Sequence, residues 1–312
     1  MTVAGRIGIA MKIVLPFIFA LTGSVANIAG GSTALGADAS DQRKLLAEGP
    51  SAAIDTVAGA NGSTASTRTA APSITSFSGK PRTRFQIGED AYGVHVADQS
   101  YSLTNPAPQT LRFEVHKGDY AWYDSASVDR AEINSAVTYP AGTPITLTYQ
   151  FMVEANGSNG AFVNSATGWF IVGQWHNDDD ASGVGTSPPV ALNMQGDHLQ
   201  VLVRYCPPGK SPSNGAGFVV TKTLWTDPTP VVTGQYHDVK VQARFSNDAT
   251  GYLKVWIDAA PVVNYSGPLG YGVGTNWGYG IYRSSAPEIA AVNYRRLTIT
   301  SGSLTPISSG QP

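Results

Sequence analysis

From Ile74 onward the chain is a succession of short β-prone runs cut apart by clusters of Gly, Pro, Asn and Asp, and no other feature restricts its fold as much. The expected strands are Arg84–Ile87, Gln109–His116, Arg130–Ser135, Ile145–Val153, Trp169–Trp175, Val190–Met194, His198–Tyr205, Phe218–Thr223, Tyr236–Phe245, Tyr252–Asp258, Gly278–Arg283 and Val292–Thr300. Strands this short and this closely spaced build a sandwich or jelly roll. Two of them alternate cleanly. In His198–Tyr205, Leu199, Val201, Val203 and Tyr205 share one face, with Gln200, Leu202 and Arg204 on the other. In Val239–Phe245 the apolar Val239, Val241, Ala243 and Phe245 oppose Lys240, Gln242 and Arg244, the pattern of a half-buried strand with a solvated outer face. Residues 75–305 are therefore expected to form a single all-β domain, an antiparallel double-sheet sandwich.

Composition supports this and excludes several functions. Hydrophobic residues make up 42% of the 312-residue chain and charged residues only 13%, with 34 Gly, 20 Pro and 14 Tyr. That balance favours strands and tight turns over helices. A net charge of −2 leaves no bulk field to draw the protein to nucleic acid or to an anionic membrane. A site for a polyanion must then be a local cluster of basic side chains. The single cysteine, Cys206, excludes an internal disulfide, and no Cys/His spacing suggests zinc. At the amino terminus, Lys12 precedes the apolar run Ile13–Leu21, and small residues follow as far as Ala37. This is the layout of a secretory signal peptide over residues 1–37, and the run is short of the ~20 residues that span a membrane. A secreted or periplasmic protein is expected, with residues 38–74 a low-complexity leader rich in Ala, Ser, Thr and Gly.

Three segments carry side chains suited to chemistry. In Asp129-Arg130-Ala131-Glu132-Ile133 a strand places Arg130 and Glu132 on one face. In Trp169–His176, alternation groups Phe170, Val172, Gln174 and His176 against Ile171, Gly173 and Trp175, so an amide and an imidazole emerge together at the end of a central strand. In Trp277–Arg283, Gly278, Gly280 and Tyr282 share a face, a nearly bare backbone leading to one phenol. Each segment alone has an ordinary structural explanation.

Taken in order along one β-sandwich, Arg130-Ala131-Glu132, Gln174-Trp175-His176 and Gly278-Tyr279-Gly280-Ile281-Tyr282-Arg283 resemble the R-x-E, Q-x-H and Y-x-K-x-G-x-Y signatures of jelly-roll polysaccharide lyases. Alginate lyases, glucuronan lyases and the heparin-lyase-I-like group share this arrangement. Gly251–Asp258 is similar to a hairpin of that last group which also recurs in lectins, so it supports the fold more than the activity. The resemblance covers roughly residues 75–300 and implies a concanavalin A-like β-jelly roll. One departure stands out: where the pattern often carries lysine, four residues before the tyrosine, this chain has Gly278. Arg283, Arg112 and Lys117 are the candidates to supply the missing cation.

What the resemblance implies is β-elimination on a uronic-acid polysaccharide. The proton at C5 is removed, the O4 substituent leaves, and charge developing on the uronate carboxylate must be stabilised. Arg130 and Gln174 are the expected donors to that carboxylate, with Glu132 orienting Arg130. His176 and Tyr282 are the expected base and acid, in either order. Trp277 is a candidate substrate-binding residue; a lectin-like sandwich would use Trp122, Tyr123, Trp225 and Trp277 as sugar-stacking platforms and would account for the hairpin with Trp256. No cofactor is expected: Asn177-Asp178-Asp179-Asp180 lacks the spacing of a calcium loop and reads as a solvated turn. The expected partner is an anionic polysaccharide acted on by a monomer, without nucleic acid and without membrane once the signal is removed. A hydrolase would need two carboxylates flanking the scissile bond, and no E-x-D-x-E cluster is present. The competing reading is a non-catalytic, lectin-like carbohydrate-binding sandwich. His95 has no motif around it and reads as structural.

Overall fold

The computed structural model describes residues 73–212 and 217–302. The expected signal peptide and all but the end of the leader lie outside the described residues. Two antiparallel sheets face each other. The front sheet has nine strands in the order β1 (Ile74–Thr75), β2 (Arg84–Ile87), β3 (Asp90–Val96), β6 (Val128–Ser135), β15 (Thr275–Ser284), β8 (Phe170–Asn177), β9 (Val190–Gln195), β10 (His198–Tyr205) and β11 (Val220–Thr226). The back sheet has seven, in the order β14 (Ala260–Ser266), β13 (Tyr252–Ile257), β12 (His237–Arg244), β7 (Pro144–Val153), β16 (Ala290–Ser301), β5 (Thr110–Val115) and β4 (Leu103–Ala107). Among the described residues a single α-helical turn, α1 (Asp179–Ser182), follows β8. Among the described residues no helix is long and apolar enough to cross a membrane.

Alternation places the core where two-sheet packing requires it. In β7, Ile145, Leu147, Tyr149, Phe151 and Val153 are buried while the residues between them are half-exposed. In β12, Val239, Val241 and Ala243 point inward against Lys240 and Gln242, as the sequence pattern requires. The middle of the sandwich is filled by aromatic rings from both sheets. Tyr279 of β15 lies 4.6 Å from Tyr294 of β16, and Tyr149 of β7 lies 5.4 Å from Trp277 of β15, measured between ring centroids. Offset and tilted pairs of this kind add ~0.5–1.5 kcal/mol each beyond the area they bury.

Two irregularities in the front sheet decide which side chains face outward. The β15–β8 register slips between Tyr279 and Tyr282, and the β8–β9 register slips between Ile171 and Gly173. Gly280 takes φ +136° there, and a Cβ on it would overlap the Ala131 carbonyl oxygen and stand 2.7 Å from Glu132 Cα. Only glycine fits that position. Bulges free carbonyls from the ladder, and here Tyr294 of the back sheet reaches across to serve them. Its hydroxyl donates to Gly280 O (2.9 Å) and lies within bonding distance of Val172 O. The bulge also corrects the simple alternation expected for β8: Phe170 and Val172 belong to the core, and Ile171 turns outward beside Tyr282 and Ala191.

Candidate active site

Three adjacent central strands, β6, β15 and β8, carry the three sequence segments. Cross-strand register sets Arg130 opposite Tyr282, Glu132 opposite Gly280, and Gly278 between Asn134 and Gln174. Arg130, Glu132, Gln174 and Tyr282 thus meet on the outer face of the front sheet. Arg130 Nη1 donates to Glu132 Oε2 (2.6 Å), and Gln174 Nε2 donates to Glu132 Oε1 (2.7 Å). Asp124, from the loop before β6, takes the other side of the guanidinium, accepting from Nε (2.7 Å) and Nη2 (3.1 Å). Both side chains of this bidentate pair are 1% exposed. The guanidinium carbon stands 3.7 Å from the centroid of the Tyr282 ring. Glu132 thus pairs with Arg130, and these donors of Arg130 and the amide nitrogen of Gln174 are turned to protein carboxylates. Together these side chains form a buried charge network on the outer face.

Beside this network lies a row with almost no side-chain floor: Gly93 of β3, Asn134 of β6, Gly278 of β15 and Gln174 of β8. A Cβ on Gly278 would overlap Asn134 Oδ1, which explains in steric terms why the usual lysine is absent. Asn134 Oδ1 and Gln174 Oε1 are buried and have no hydrogen-bond partner among the described residues. The Gln174 orientation follows from its partner, since a carboxylate accepts and the amide N–H₂ must face it. Two acceptor oxygens are thereby presented along one row. His95 closes the row on the β3 side, opposite Glu132 in register. Its Nδ1 shares a 2.7 Å hydrogen bond with Tyr123 Oη, its ring stacks on Trp122 at 5.4 Å, and its Nε2 lies 3.2 Å from where a Gly93 Cβ would be. His95, Asn134 and Asp124 were not picked out by motif. His95 was legible in principle, because Tyr92, Val94 and Val96 alternate with it.

Other expected site residues fall elsewhere. His176 is on the correct face but pairs with Asn276, six residues along β15 from Tyr282. At the rise of a strand that is ~20 Å between Cα atoms. His176 Nδ1 instead lies 3.0 Å from Asn177 O and 4.0 Å from Asp179. Arg283 points inward, its Nε bound to the buried Asp129 (2.9 Å) and its Nη2 to the carbonyls of Ala286 and Glu288. Trp277 is a core residue packed on Trp175 and Tyr149 and offers no platform to a sugar. Arg112 belongs to the back sheet, where it forms a bidentate pair with Glu154 (2.7 and 2.9 Å). Those bonds hold the Glu154 carboxyl below its ordinary pKa. Lys117 is exposed in the turn after β5, with no ion pair among the described residues. In the Asn177–Asp180 run, Asp178 caps α1 through Ala181 N (3.1 Å) and Asp179 accepts from Thr186 (2.8 Å), so both build the turn. Among the described residues no three His, Cys, Asp or Glu side chains gather as a metal-binding group. Burial raises the Cys206 thiol pKa, in keeping with an inert cysteine.

Among solved structures, an endo-β-1,4-glucuronan lyase from the fungus Trichoderma reesei is 15% identical with a TM-score of 0.49, over 68% of this chain and 87% of that one. The alginate lyase AlyC3 is 11% identical with a TM-score of 0.47, over 67% and 89% of the two chains. LamAcat from Zobellia galactanivorans is 11% identical with a TM-score of 0.46, over 72% and 94%. A comparison with curated proteins gives no match. The family model described as polysaccharide lyase matches residues 55–301, most of the chain and every strand of the sandwich. The chain belongs to the polysaccharide lyase family.

Proposed function

We propose that this polysaccharide lyase is exported and acts on a uronic-acid polymer by β-elimination, on the outer face of the front sheet. One observation carries the reading: Tyr282 and His95 stand along the same side of a glycine-floored row whose buried side-chain amide oxygens have no partner among the described residues. Sugars are rich in hydroxyl donors, and Asn134 Oδ1 and Gln174 Oε1 are acceptors of the kind such donors satisfy. Tyr282 and His95 are two strands apart and two residues along, ~12 Å between Cα atoms by strand geometry, which leaves one sugar ring between their tips. They replace His176 and Tyr282 as the proton-transferring pair. Arg130, resting on the Tyr282 ring, supplies positive charge next to the phenol without leaving its carboxylates. Preorganised charge of this kind costs nothing to reorganise during reaction. Tyr123 fixes His95 through Nδ1, so Nε2 is the atom presented to the row. His176, one row beyond Gln174, is placed to meet a neighbouring sugar.

The test is a comparison of three variants on glucuronan and alginate. His95→Ala and Tyr282→Phe should each lower kcat by ~10²-fold or more, the scale of general acid–base catalysis. His176→Ala should act mainly on KM. If His176→Ala abolishes turnover while His95→Ala is unaffected, the assignment is wrong.

A further inference from the structure

The outer face of the back sheet, on the far side of the sandwich, carries a groove of about 750 Å³. Strand register lines up one row across four of its strands: Trp256 of β13, Lys240 of β12, Thr148 of β7 and Thr298 of β16. Trp256 is unusual there, a half-buried indole on the solvent side of a strand whose inward residues are Leu253, Val255 and Ile257. The Lys240 ammonium stands 5.0 Å from the indole centroid. The Thr148 and Thr298 hydroxyls are 2.5 Å apart and leave further lone pairs to the groove. A bulge in β16 turns Arg296 into the same space, at φ +57° and exposed.

The charges in the groove are not equally available. Asp238 accepts from Gln150 (2.8 Å), and Asp258 accepts from His237 (2.7 Å) and from the Asp238 N–H (2.8 Å). Both carboxylates are engaged within the protein. Lys240 and Arg296 have no carboxylate partner within ion-pair distance among the described residues. An indole, two available cations and a pair of hydroxyls match the parts of one uronate residue: a sugar face, a carboxylate and ring hydroxyls. We propose that this groove is a second, non-catalytic binding surface for the same class of anionic polysaccharide. Stacked sheets are ~10 Å apart, so a segment of polymer held here cannot lie in the front-sheet row at the same time. The groove therefore anchors long chains and raises their local concentration at the front face.

The class of polymer rests on the function proposed above, but the test separates the two. Electrophoresis through gels containing alginate, glucuronan or the neutral glucan laminarin reads binding without reference to turnover. Wild type should be retarded by the polyuronates and not by laminarin. Trp256→Ala and the surface pair Lys240→Gln/Arg296→Gln should each lose retardation several-fold while keeping the wild-type Tm. On long polymer these variants should raise KM and keep kcat, and on short oligosaccharides they should match wild type. Unchanged retardation in the Lys240→Gln/Arg296→Gln variant overturns the proposal, as does equal retardation by laminarin. A protein that is retarded through Trp256 and Arg296 yet cleaves no polyuronate would keep this surface and remove the proposed reaction.

Discussion

Replacing Tyr294 by phenylalanine removes one oxygen atom from the middle of the sandwich, and its cost can be worked from the bonds it makes. The hydroxyl serves Gly280 O and Val172 O, the carbonyls released at the two front-sheet bulges. Burial raises its pKa far above the ordinary phenol value, so it stays a donor at any working pH. Without it, buried carbonyl oxygen is left unsatisfied, at ~1–3 kcal/mol. For a domain of this size each kcal/mol lowers Tm by ~2–4 °C, giving a fall of ~2–12 °C. Tyr149 is the internal control. It belongs to the same ring cluster, its hydroxyl is equally buried, and among the described residues that hydroxyl has no hydrogen-bond partner. Tyr149→Phe should leave Tm unchanged or raise it. Thermal unfolding followed by circular dichroism measures both. Equal Tm losses in the two variants would refute the claim that Tyr294 holds the bulges.

Three further outcomes follow from local geometry. Gly280→Ala forces a Cβ against backbone atoms of β6 at a φ that L-residues avoid, and should cost at least ~1–3 kcal/mol from the backbone alone, read as a lower Tm or insolubility. Gly278→Lys should impair activity by displacing the Asn134 side chain, and adding Asn134→Gly should recover the lost stability, since the overlap is with the Asn134 amide. The Arg112–Glu154 pair should stabilise the fold above the unfolded carboxylate pKa of ~4.3 and lose that contribution as pH falls through the lowered folded value. An Arg112→Met variant should therefore lie below wild type in Tm at neutral pH by the ~1 kcal/mol or less of a half-exposed pair, with the gap closing in acid.

Much of the sandwich was legible because its strands are half-buried, and period-two alternation survives in them, as in β7, β10 and β12. The strands not anticipated explain their own silence. β4 and β14 are sheet edges whose sequences hold Pro106 and Pro261, residues that an edge tolerates and a central strand does not. β1 is two residues long. Missing β3, with Gly93 in its middle, meant missing His95. Motifs located Arg130, Glu132, Gln174 and Tyr282, but not which way their donors point, because Asp124 comes from a loop with no regular spacing to them. The inward placement of Trp277 and Arg283 was hidden for a related reason. β15 is buried on both faces, so hydrophobicity does not distinguish its inner side from its outer. Register slips depend on long-range pairing, which is why Phe170 and Val172 moved to the core.

The central claim is that the outer face of the front sheet performs β-elimination on a uronate polymer. The direct measurement is to incubate the protein with glucuronan, alginate and heparin-type polysaccharide, recording ultraviolet absorbance of the unsaturated uronate together with new reducing ends. On at least one polymer the two signals should rise in step, and both should vanish in Tyr282→Phe. Reducing ends without absorbance, or full activity in Tyr282→Phe, would contradict the central claim.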